Sequence, residues 1–248
     1  MNSLAVVSDV HGNLAALEAV LAEIELERFE AIVVAGDVAG GPDQRATLAR
    51  LRGLENTRFV RGNVDRVVVQ AFDEQWSYEP DESRPRRSAA WAAERLTRDE
   101  RDFLAAFEDR VVVSVDALGE VLVCHGSPRS DEEIMTSLTP EQVLGPMIAG
   151  SEAHVVVCGH THVQFDRAVG ETRVVNAGSV GMPYEGRRGA FWVALGPDVV
   201  HRRTEYDVDQ AAERIRASDY WDAEETSLEL VEPRDPREIE ELFESYPR

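Results

Sequence analysis

The sequence predicts an α/β protein in which parallel β-strands alternate with helices. Short apolar segments alternate with amphipathic segments through the first third of the chain, a pattern typical of β-α-β units. From Val111 onward, short apolar segments follow one another, which predicts a second sheet. Several apolar segments end directly in a polar residue, and ligands bind at the carboxyl ends of strands in α/β sheets. The fold class therefore also predicts where a functional site lies.

The first third contains three predicted strands and two predicted helices. Leu4–Ser8 is the first strand, Ala31–Ala35 the second and Thr57–Val60 the third. Asn13 is placed to cap the helix between the first two strands, because its side chain can accept a backbone N–H of the first turn. A glycine-rich turn leads into the next helix, which runs to about Arg52.

The region from about residue 72 to 109 is charged and predicts helices. It begins irregularly between Pro80 and Pro85, and Thr97 with Glu100 has the spacing of a capping box. We interpret this region as a small helical insertion or cap over the core. Ordinary packing helices are the alternative.

The second half is predicted to be mainly β. Thr139, followed by Pro140 and Gln142, predicts one intervening helix with Thr139 as its N-cap. Asp207 is predicted to cap a further helix that ends near Arg216. The predicted strands are Val111–Val115, Val121–Cys124, His154–Cys158, Arg173–Val175, Ala190–Leu195 and Val199–Arg202.

One domain is predicted over residues 1–230, followed by an acidic C-terminal tail over 231–248. No internal repeat or low-complexity linker divides the first part. The tail is interrupted by proline and offers little apolar surface, so we expect a short surface helix or disorder there. We also expect the tail to be dispensable for chemistry.

Composition excludes several classes of function. The net charge is −21 and no basic patch is visible, so general nucleic-acid binding is not expected. All 26 basic residues are arginine, which excludes catalysis by a lysine. No apolar segment approaches the roughly 20 residues that span a membrane, and the two cysteines form no disulfide framework. We therefore expect a soluble, cytoplasmic protein.

The residues that follow the strands form a set of possible metal ligands. Carboxylates, imidazoles and one amide oxygen, without a thiolate, suit divalent Mn, Fe, Zn, Co or Ni. Seven ligands are too many for one ion and fit two ions that share a bridging ligand. Each short motif alone is weak evidence, but no structural role explains all of them in order after apolar strands. The seven residues are Asp9, His11, Asp37, Asn63, His125, His160 and His162.

This order of motifs resembles the calcineurin-like metallophosphoesterase family, in particular its small bacterial and archaeal phosphodiesterases. The likeness extends from Leu4 to about Leu230, and it implies a four-layer αββα sandwich of two mixed sheets flanked by helices. The matching blocks are D-x-H at 9–11, G-D at 36–37, G-N-x-D at 62–65, H at 125, G-H-T-H at 159–162 and N-x-G-S-x-G at 176–181.

The resemblance also assigns roles to the ligands. Asp37 would bridge two divalent ions, and a hydroxide shared by the ions would attack the phosphorus of a small phosphodiester or phosphomonoester. Asp37, Asn63 and His125 would be the catalytic residues. The ligands would be Asp9, His11 and His162 at the first ion, and Asn63, His125 and His160 at the second.

A few residues near the motifs are candidates for substrate contacts. Arg61 and Arg129 could bind phosphate oxygens, with ordinary surface arginines as the alternative. Asn13 is first a helix cap, and Asp65 is expected to cap the following helix and orient its loop. Phosphatase branches of the resembled family often carry a proton-donating histidine where this chain has Val64, so we expect no general acid at this position.

Three other functions are compatible with this sequence. The same scaffold carries protein serine/threonine phosphatases and dinucleoside polyphosphate hydrolases. Outside the enzymes, the alternative is a metal-binding scaffold protein that recruits partners. No metal ligand is missing, which favours an enzyme. A homo-oligomer is compatible with the sequence, whereas a membrane partner is not expected.

Overall fold

The computed structural model describes residues 1–75 and 83–246, so part of the irregular segment predicted near Pro80 lies outside the described residues. Within them, ten strands form two five-stranded sheets and nine helices flank the sheets. The strands are β1 (Leu4–Val7), β2 (Ala31–Val34), β3 (Thr57–Phe59), β4 (Val111–Val115), β5 (Gly119–Val123), β6 (Val155–Cys158), β7 (Phe165–Val169), β8 (Thr172–Asn176), β9 (Ala190–Leu195) and β10 (Val199–Thr204). The helices are α1 (Leu14–Glu27), α2 (Gln44–Arg52), α3 (Asn63–Phe72), α4 (Arg84–Ala93), α5 (Arg98–Ala105), α6 (Glu141–Ile148), α7 (Val208–Arg216), α8 (Ala223–Val231) and α9 (Pro236–Glu244).

Both sheets are mixed, and each contains three adjacent parallel strands. The first sheet has the order β10-β9-β1-β2-β3, in which β1, β2 and β3 are parallel and β9 runs antiparallel to β1. The second has the order β4-β5-β6-β8-β7, in which β5, β6 and β8 are parallel and the two edge strands antiparallel. The parallel strands therefore carry most of the candidate ligands.

Alternate residues along the strands face opposite layers. In β1, Ala5 and Val7 pack on the side of α1 and α2, whereas Leu4 and Val6 pack against the second sheet. The outer face of the second sheet packs against α6 through Leu144. The order of layers is helix, sheet, sheet, helix, which confirms the predicted αββα sandwich.

The helices of the region from about 72 to 109 join the first helical layer. Ala89 of α4 and Leu104 of α5 belong to the same apolar cluster as α1 and α2. The predicted capping box is present, because Thr97 Oγ1 accepts the N–H of Glu100 and the Glu100 carboxylate accepts the N–H of Thr97 at 2.7 Å. These helices thus extend the helical layer over the first sheet.

Of the two helix caps predicted in the second half of the chain, one is confirmed and the other is wrong. Asp207 caps α7 by accepting the N–H of Gln210 at 2.9 Å. Thr139 does not cap α6, whose N-cap is Pro140. The Thr139 hydroxyl instead donates to the carboxylate of Glu244 at 2.5 Å, so a distant partner replaces the expected local one.

The C-terminal segment packs on the body of the protein. α7 and α8 share a small apolar cluster formed by Val208, Ile215 and Leu230. α9 follows, and its Ile239 is only 2% exposed. The tail therefore contains a helix, and one face of this helix is buried.

Candidate metal centre

The parallel strands of both sheets direct their carboxyl ends at one place. Successive strands of a parallel sheet end on the same edge, so residues that follow them converge. The structure brings all seven predicted ligands together there, and we call them the ligand cluster: Asp9 and His11 after β1, Asp37 after β2, Asn63 after β3, His125 after β5, and His160 and His162 after β6.

The first group of ligand atoms contains one carboxylate and two imidazoles. Asp9 Oδ1 lies 3.1 Å from His162 Nε2 and 3.7 Å from His11 Nε2. The two Nε2 atoms are 3.2 Å apart. Three ligand atoms thus converge within the reach of a single ion.

The second group is built around the carboxylate of Asp37. Its Oδ2 lies 3.4 Å from His125 Nε2 and 3.8 Å from His11 Nε2. Asn63 Oδ1 lies 3.0 Å from the same His125 nitrogen, and the ring of His160 lies 5.1 Å from that of His125. Asp37 therefore faces both groups.

Backbone carbonyls set the orientation of two of the imidazoles. His125 Nδ1 lies 2.8 Å from the carbonyl oxygen of Ala35, and His162 Nδ1 lies 2.7 Å from that of Met182. A carbonyl oxygen can only accept, so each Nδ1 carries the hydrogen. In the neutral ring, Nε2 then presents its lone pair to the cluster, as in many metal-binding histidines.

The carboxylate of Asp9 supports the fit of a cation. Asp9 is fully buried, and its Oδ1 makes no well-oriented hydrogen bond despite its nearness to His162. Buried polar atoms without a partner are rare in folded proteins. A divalent ion would satisfy this oxygen and the lone pairs of the neighbouring imidazoles, so these residues fit the metal that their chemistry indicates.

Burial and mutual charge shift the pKa values of the cluster. Burial opposes ionisation of Asp9, but His162 and His125 hold its pKa well below the ordinary value. Burial lowers the pKa of His160 to about 4, helped by repulsion from His125, so its ring is neutral. Against burial, Asp37 and Asp9 raise the pKa of His125 to about 10. A bound ion would displace that proton.

The backbone at the ligands is unusual. Two glycines permit the close approach: a Cβ on Gly62 would collide with the Asp37 carboxylate, and one on Gly159 would collide with the Ser8 hydroxyl. Five of the seven candidate ligands have a positive φ: Asp9 (56°), His11 (44°), Asp37 (51°), His160 (68°) and His162 (59°). These left-handed conformations are uncommon for residues other than glycine and cluster at functional sites.

Asp65 supports this backbone from behind. Its carboxylate is fully buried. It accepts the N–H groups of Asp37 (2.8 Å), Val38 (3.0 Å), Ala39 (3.1 Å) and Gly62 (3.2 Å). Burial, together with the charge of Asp37, raises its pKa to about 7. Asp65 orients the loop as expected and is not positioned to contact a substrate.

None of the other three predicted substrate contacts lines the cavity that contains His11 and Asp37. Arg61 pairs with Asp109, and Arg129 pairs with Glu133 at 2.6 Å. Both arginines line a groove separate from the cavity of the ligands. Asn13 is buried and caps α1 through its Oδ1. The structure therefore gives all three an intramolecular role.

A cavity of about 320 Å³ opens over the cluster. Val64 lies in its lining, is 5% exposed and offers no proton. Among the residues of the lining that the sequence did not single out are Arg84, Tyr184, Tyr220, Glu229, Arg234, Ile239, Leu242, Phe243 and Tyr246. The last four follow the spacing i, i+3, i+4, i+7, a signal of an amphipathic helix that could have found them.

The two arginines of the cavity differ in their partners. Arg84 forms ion pairs with Asp222 and, at 2.8 Å, with Glu229, so its charge is neutralised. Arg234 forms no ion pair within the part of the chain that the structure describes, and its guanidinium lies 6.0 Å from the ring of Tyr184. Arg234 is thus the more available cation for an anionic ligand.

Fold and site together define a class of protein, an α/β sandwich of two sheets with a candidate divalent-metal site at the carboxyl ends of their parallel strands. The model of the calcineurin-like phosphoesterase superfamily domain matches residues 2–195, and the chain belongs to this superfamily. It is therefore a metal-dependent phosphoric ester hydrolase, as the motifs predicted. None of the helices described here has the length and apolar character needed to cross a membrane.

Three proteins are similar to this chain, one by sequence and two by structure. An uncharacterized protein of Methanocaldococcus jannaschii is 26% identical over 236 residues, which cover 86% of this chain and 91% of that protein. A metallophosphoesterase from Sphaerobacter thermophilus has a TM-score of 0.74 at 24% identity, covering 93% of this chain and 98% of its own. A hypothetical protein from Pyrococcus horikoshii OT3 has a TM-score of 0.78 at 20% identity, covering 95% and 100%. These two solved structures show the fold.

Proposed function

We propose that this protein hydrolyses a small phosphodiester or phosphomonoester with two divalent ions per chain. The observation that carries the proposal is the pair of ligand groups, Asp9 with His11 and His162, and Asp9 with Asp37 and His125. The ligand atoms within each group lie within 4.8 Å of one another. Asp9 belongs to both groups, and Asp37 Oδ2 lies 3.4 Å from His125 Nε2 and 3.8 Å from His11 Nε2, one residue of each group. These distances support Asp37 as the bridge between two ions.

In this proposal, the side chains of the site either hold the ions or support the loop that carries Asp37. When bound, the two ions, drawn from Mn, Fe, Zn, Co and Ni, would supply a water-derived nucleophile and charge stabilisation for the phosphoryl group. Asp65 holds the loop that carries Asp37. The residues that would hold the ions are Asp9, His11 and His162 at the first, Asn63, His125 and His160 at the second, and Asp37 at both.

The charge of the whole protein makes such a local arrangement necessary. A net charge of −21 repels an anionic ester at long range. Metal ions reverse the local field at the cluster. Arg234 adds a further positive charge on the lining of the same cavity.

The size of the cavity favours small substrates. A volume of about 320 Å³ is within the range of small-molecule sites, and α9 lies along one side of it. A phosphorylated protein segment would need an open surface at this place. The structure therefore favours a small ester over a phosphoprotein as the substrate.

Two histidines that flank β6 allow a matched test. His160 follows the strand and belongs to the cluster, whereas His154 precedes it and is exposed. After chelation and reloading with Mn²⁺, we expect the wild type and His154→Gln to release nitrophenol from bis-p-nitrophenyl phosphate or p-nitrophenyl phosphate. We expect His160→Gln to lose both metal, by elemental analysis, and activity. Hydrolysis that survives both complete metal removal and His160→Gln would overturn the proposal.

A further inference from the structure

The C-terminal helix α9 and the residues that follow it form one side of the cavity over the ligand cluster. Ile239, Leu242, Phe243 and Tyr246 all belong to the lining. Ile239 is buried, whereas Leu242 and Tyr246 are 42% and 45% exposed. Large apolar side chains that remain exposed beside the candidate metal ligands offer a surface on which an apolar part of a ligand can pack.

Two carboxylates fix α9 in this position. The Glu240 carboxylate accepts the N–H of Ser137 at 2.7 Å and its hydroxyl at 2.8 Å. Glu244 accepts the hydroxyls of Thr136 at 2.7 Å and Thr139 at 2.5 Å. Hydrogen bonds to ionised groups are stronger than neutral ones. The helix is therefore a fixed wall of the cavity.

Two of the four side chains that this wall presents to the cavity are aromatic, Phe243 and Tyr246. The ring of Phe243 lies 6.4 Å from that of His160 and 5.9 Å from that of Tyr246, the latter pair edge to face. Elsewhere in the lining, the Tyr184 ring stacks on that of His162 at 5.1 Å. Aromatic surfaces thus begin directly beside two of the candidate ligands.

We propose that α9 selects the substrate, and that the preferred substrates are phosphate esters carrying a planar aromatic group. The aromatic group packs on Phe243 and Tyr246 while the phosphoryl group lies over the Asp–His cluster. This inference rests on the proposed hydrolase function and adds the class of ester to it. A flexible alkyl group would gain burial from Leu242 but no stacking with either ring.

Equilibrium binding to the full-length, Mn²⁺-loaded protein tests this selection. The probes are the phosphonate analogues of the nucleotide adenosine 5′-monophosphate and of ribose 5-phosphate, in which a methylene group replaces the ester oxygen so that the protein cannot hydrolyse them. They carry the same phosphonate on the same sugar carbon and differ in the base. We expect calorimetry to show about tenfold tighter binding of the nucleotide analogue, the order of one aromatic stack. Phe243→Ala and Phe243→Leu should reduce this preference to about twofold or less, and the leucine variant keeps the apolar volume.

A third probe separates two sources of the aromatic group. This probe is benzylphosphonate, the analogue of phenyl phosphate that cannot be hydrolysed. Tighter binding of benzylphosphonate as well as the nucleotide analogue would indicate any aryl ester, whereas tighter binding of the nucleotide analogue alone would indicate a nucleobase. Glu241→Ala is the control on the same helix, because Glu241 is exposed and pairs with Arg237 at 2.7 Å. Circular dichroism and metal content should match the wild type for every variant.

The outcomes for the two proposals are distinct. A wild type that hydrolyses the nitrophenyl esters but binds all three probes equally would overturn the aromatic selection alone. A wild type that prefers the nucleotide analogue, and loses the preference in Phe243→Ala, yet hydrolyses no ester, would overturn the hydrolase proposal alone. If Phe243→Ala weakened the binding of all three probes equally, the proposal of aromatic selection would also be overturned, since Phe243 would then have only a structural role.

Discussion

The ligand cluster and α9 contribute to one cavity but are built in different ways. The cluster is made of short strand-end turns, in which backbone carbonyls aim His125 and His162 and glycines leave room for the carboxylates. α9 is a regular helix held by the distant hydroxyls that bind Glu240 and Glu244. Its aromatic side chains meet the cavity without contributing a candidate metal ligand.

The two regions are therefore expected to serve different purposes: the cluster carries out the reaction, and α9 selects the substrate. The orientation of a candidate ligand at a strand end depends on several neighbouring groups, so a substitution there should lower the rate of the reaction. A side chain on the wall of α9 can change while the cluster keeps its geometry. We therefore expect substitutions in the cluster to affect every substrate, and substitutions in α9 to affect substrates unequally.

The largest effect is expected at Asp37. In Asp37→Asn, the amide oxygen can still accept the N–H of Val64, bound at 2.9 Å by Oδ1, but the charge that faces both ligand groups is lost. We expect activity to fall by at least about 1,000-fold, because the ions contribute several kcal/mol to the transition state. Metal content should fall by more than one equivalent.

Asp109→Asn is the control for this change, since Asp109 is exposed and pairs with Arg61. It should keep both activity and metal. Loss of one ion in Asp37→Asn with the other fully retained would argue against a shared bridge.

The next effect concerns the leaving group. Val64 offers no proton, and burial raises the pKa values of the cavity tyrosines Tyr184 and Tyr220, which makes them weak acids. Proton donation is typically worth about 10²–10⁴-fold. Without it, log kcat/KM for a series of aryl phosphodiesters should decline steeply as leaving-group pKa rises. A flat plot, with chemistry rate-limiting, would show that a proton donor exists.

Removal of α9 should have a smaller and more selective effect. Ending the chain after Arg234 keeps α8 and Arg234 but deletes the aromatic wall. We expect kcat/KM for bis-p-nitrophenyl phosphate to fall at least about tenfold while metal content stays constant. This outcome differs from the sequence-based expectation that the tail is dispensable. A fall in metal content would mean that α9 also supports the cluster.

The smallest effect should appear where the two regions meet. The N–H of Tyr184 donates to the His162 carbonyl, and the N–H of Gly186 donates to that of Arg234. Between these two hydrogen bonds, burial raises the pKa of Glu185 from 4.5 to about 7. The N–H of Gln164, which donates to the Glu185 carboxylate at 2.6 Å, opposes this rise. The folded state thus holds this proton more tightly than the unfolded chain. Stability should fall as pH rises from about 4.5 through about 7.

Glu185→Gln removes the titrating group and keeps an acceptor for Gln164. The melting temperature of Glu185→Gln minus that of the wild type should therefore increase as pH rises to about 8. Above that pH the difference should stay constant. Parallel melting curves from pH 5 to 8 would show that Glu185 does not couple folding to protons.

The sequence predicts the ligand cluster better than the position of α9, because the cluster depends on local sequence patterns and α9 depends on contacts with distant residues. Asp9 and Asp37 directly follow apolar strands, so a local pattern and the rule of strand ends place them together. The position of α9 depends on partners 103 to 108 residues away, which no local pattern reveals.

The same reason explains the individual differences. Thr139 has the local sequence of an N-cap, but Glu244 offers its hydroxyl a stronger, charged acceptor. Arg61 and Arg129 lie close to motif loops in sequence, yet Asp109 and Glu133 bind them outside the cavity. Competition between local and distant partners is decided by the tertiary structure.

The left-handed backbone at five ligands has a consequence for the protein's life in the cell. Each such conformation costs about 1–2 kcal/mol for a residue with a Cβ, against a total stability of about 5–15 kcal/mol for a typical domain. Metal ions that bind only the folded chain return stability by mass action. The melting temperature of this protein and its resistance to proteases should therefore rise with the metal concentration in the cell. A shortage of metal should lower the amount of folded enzyme as well as its activity.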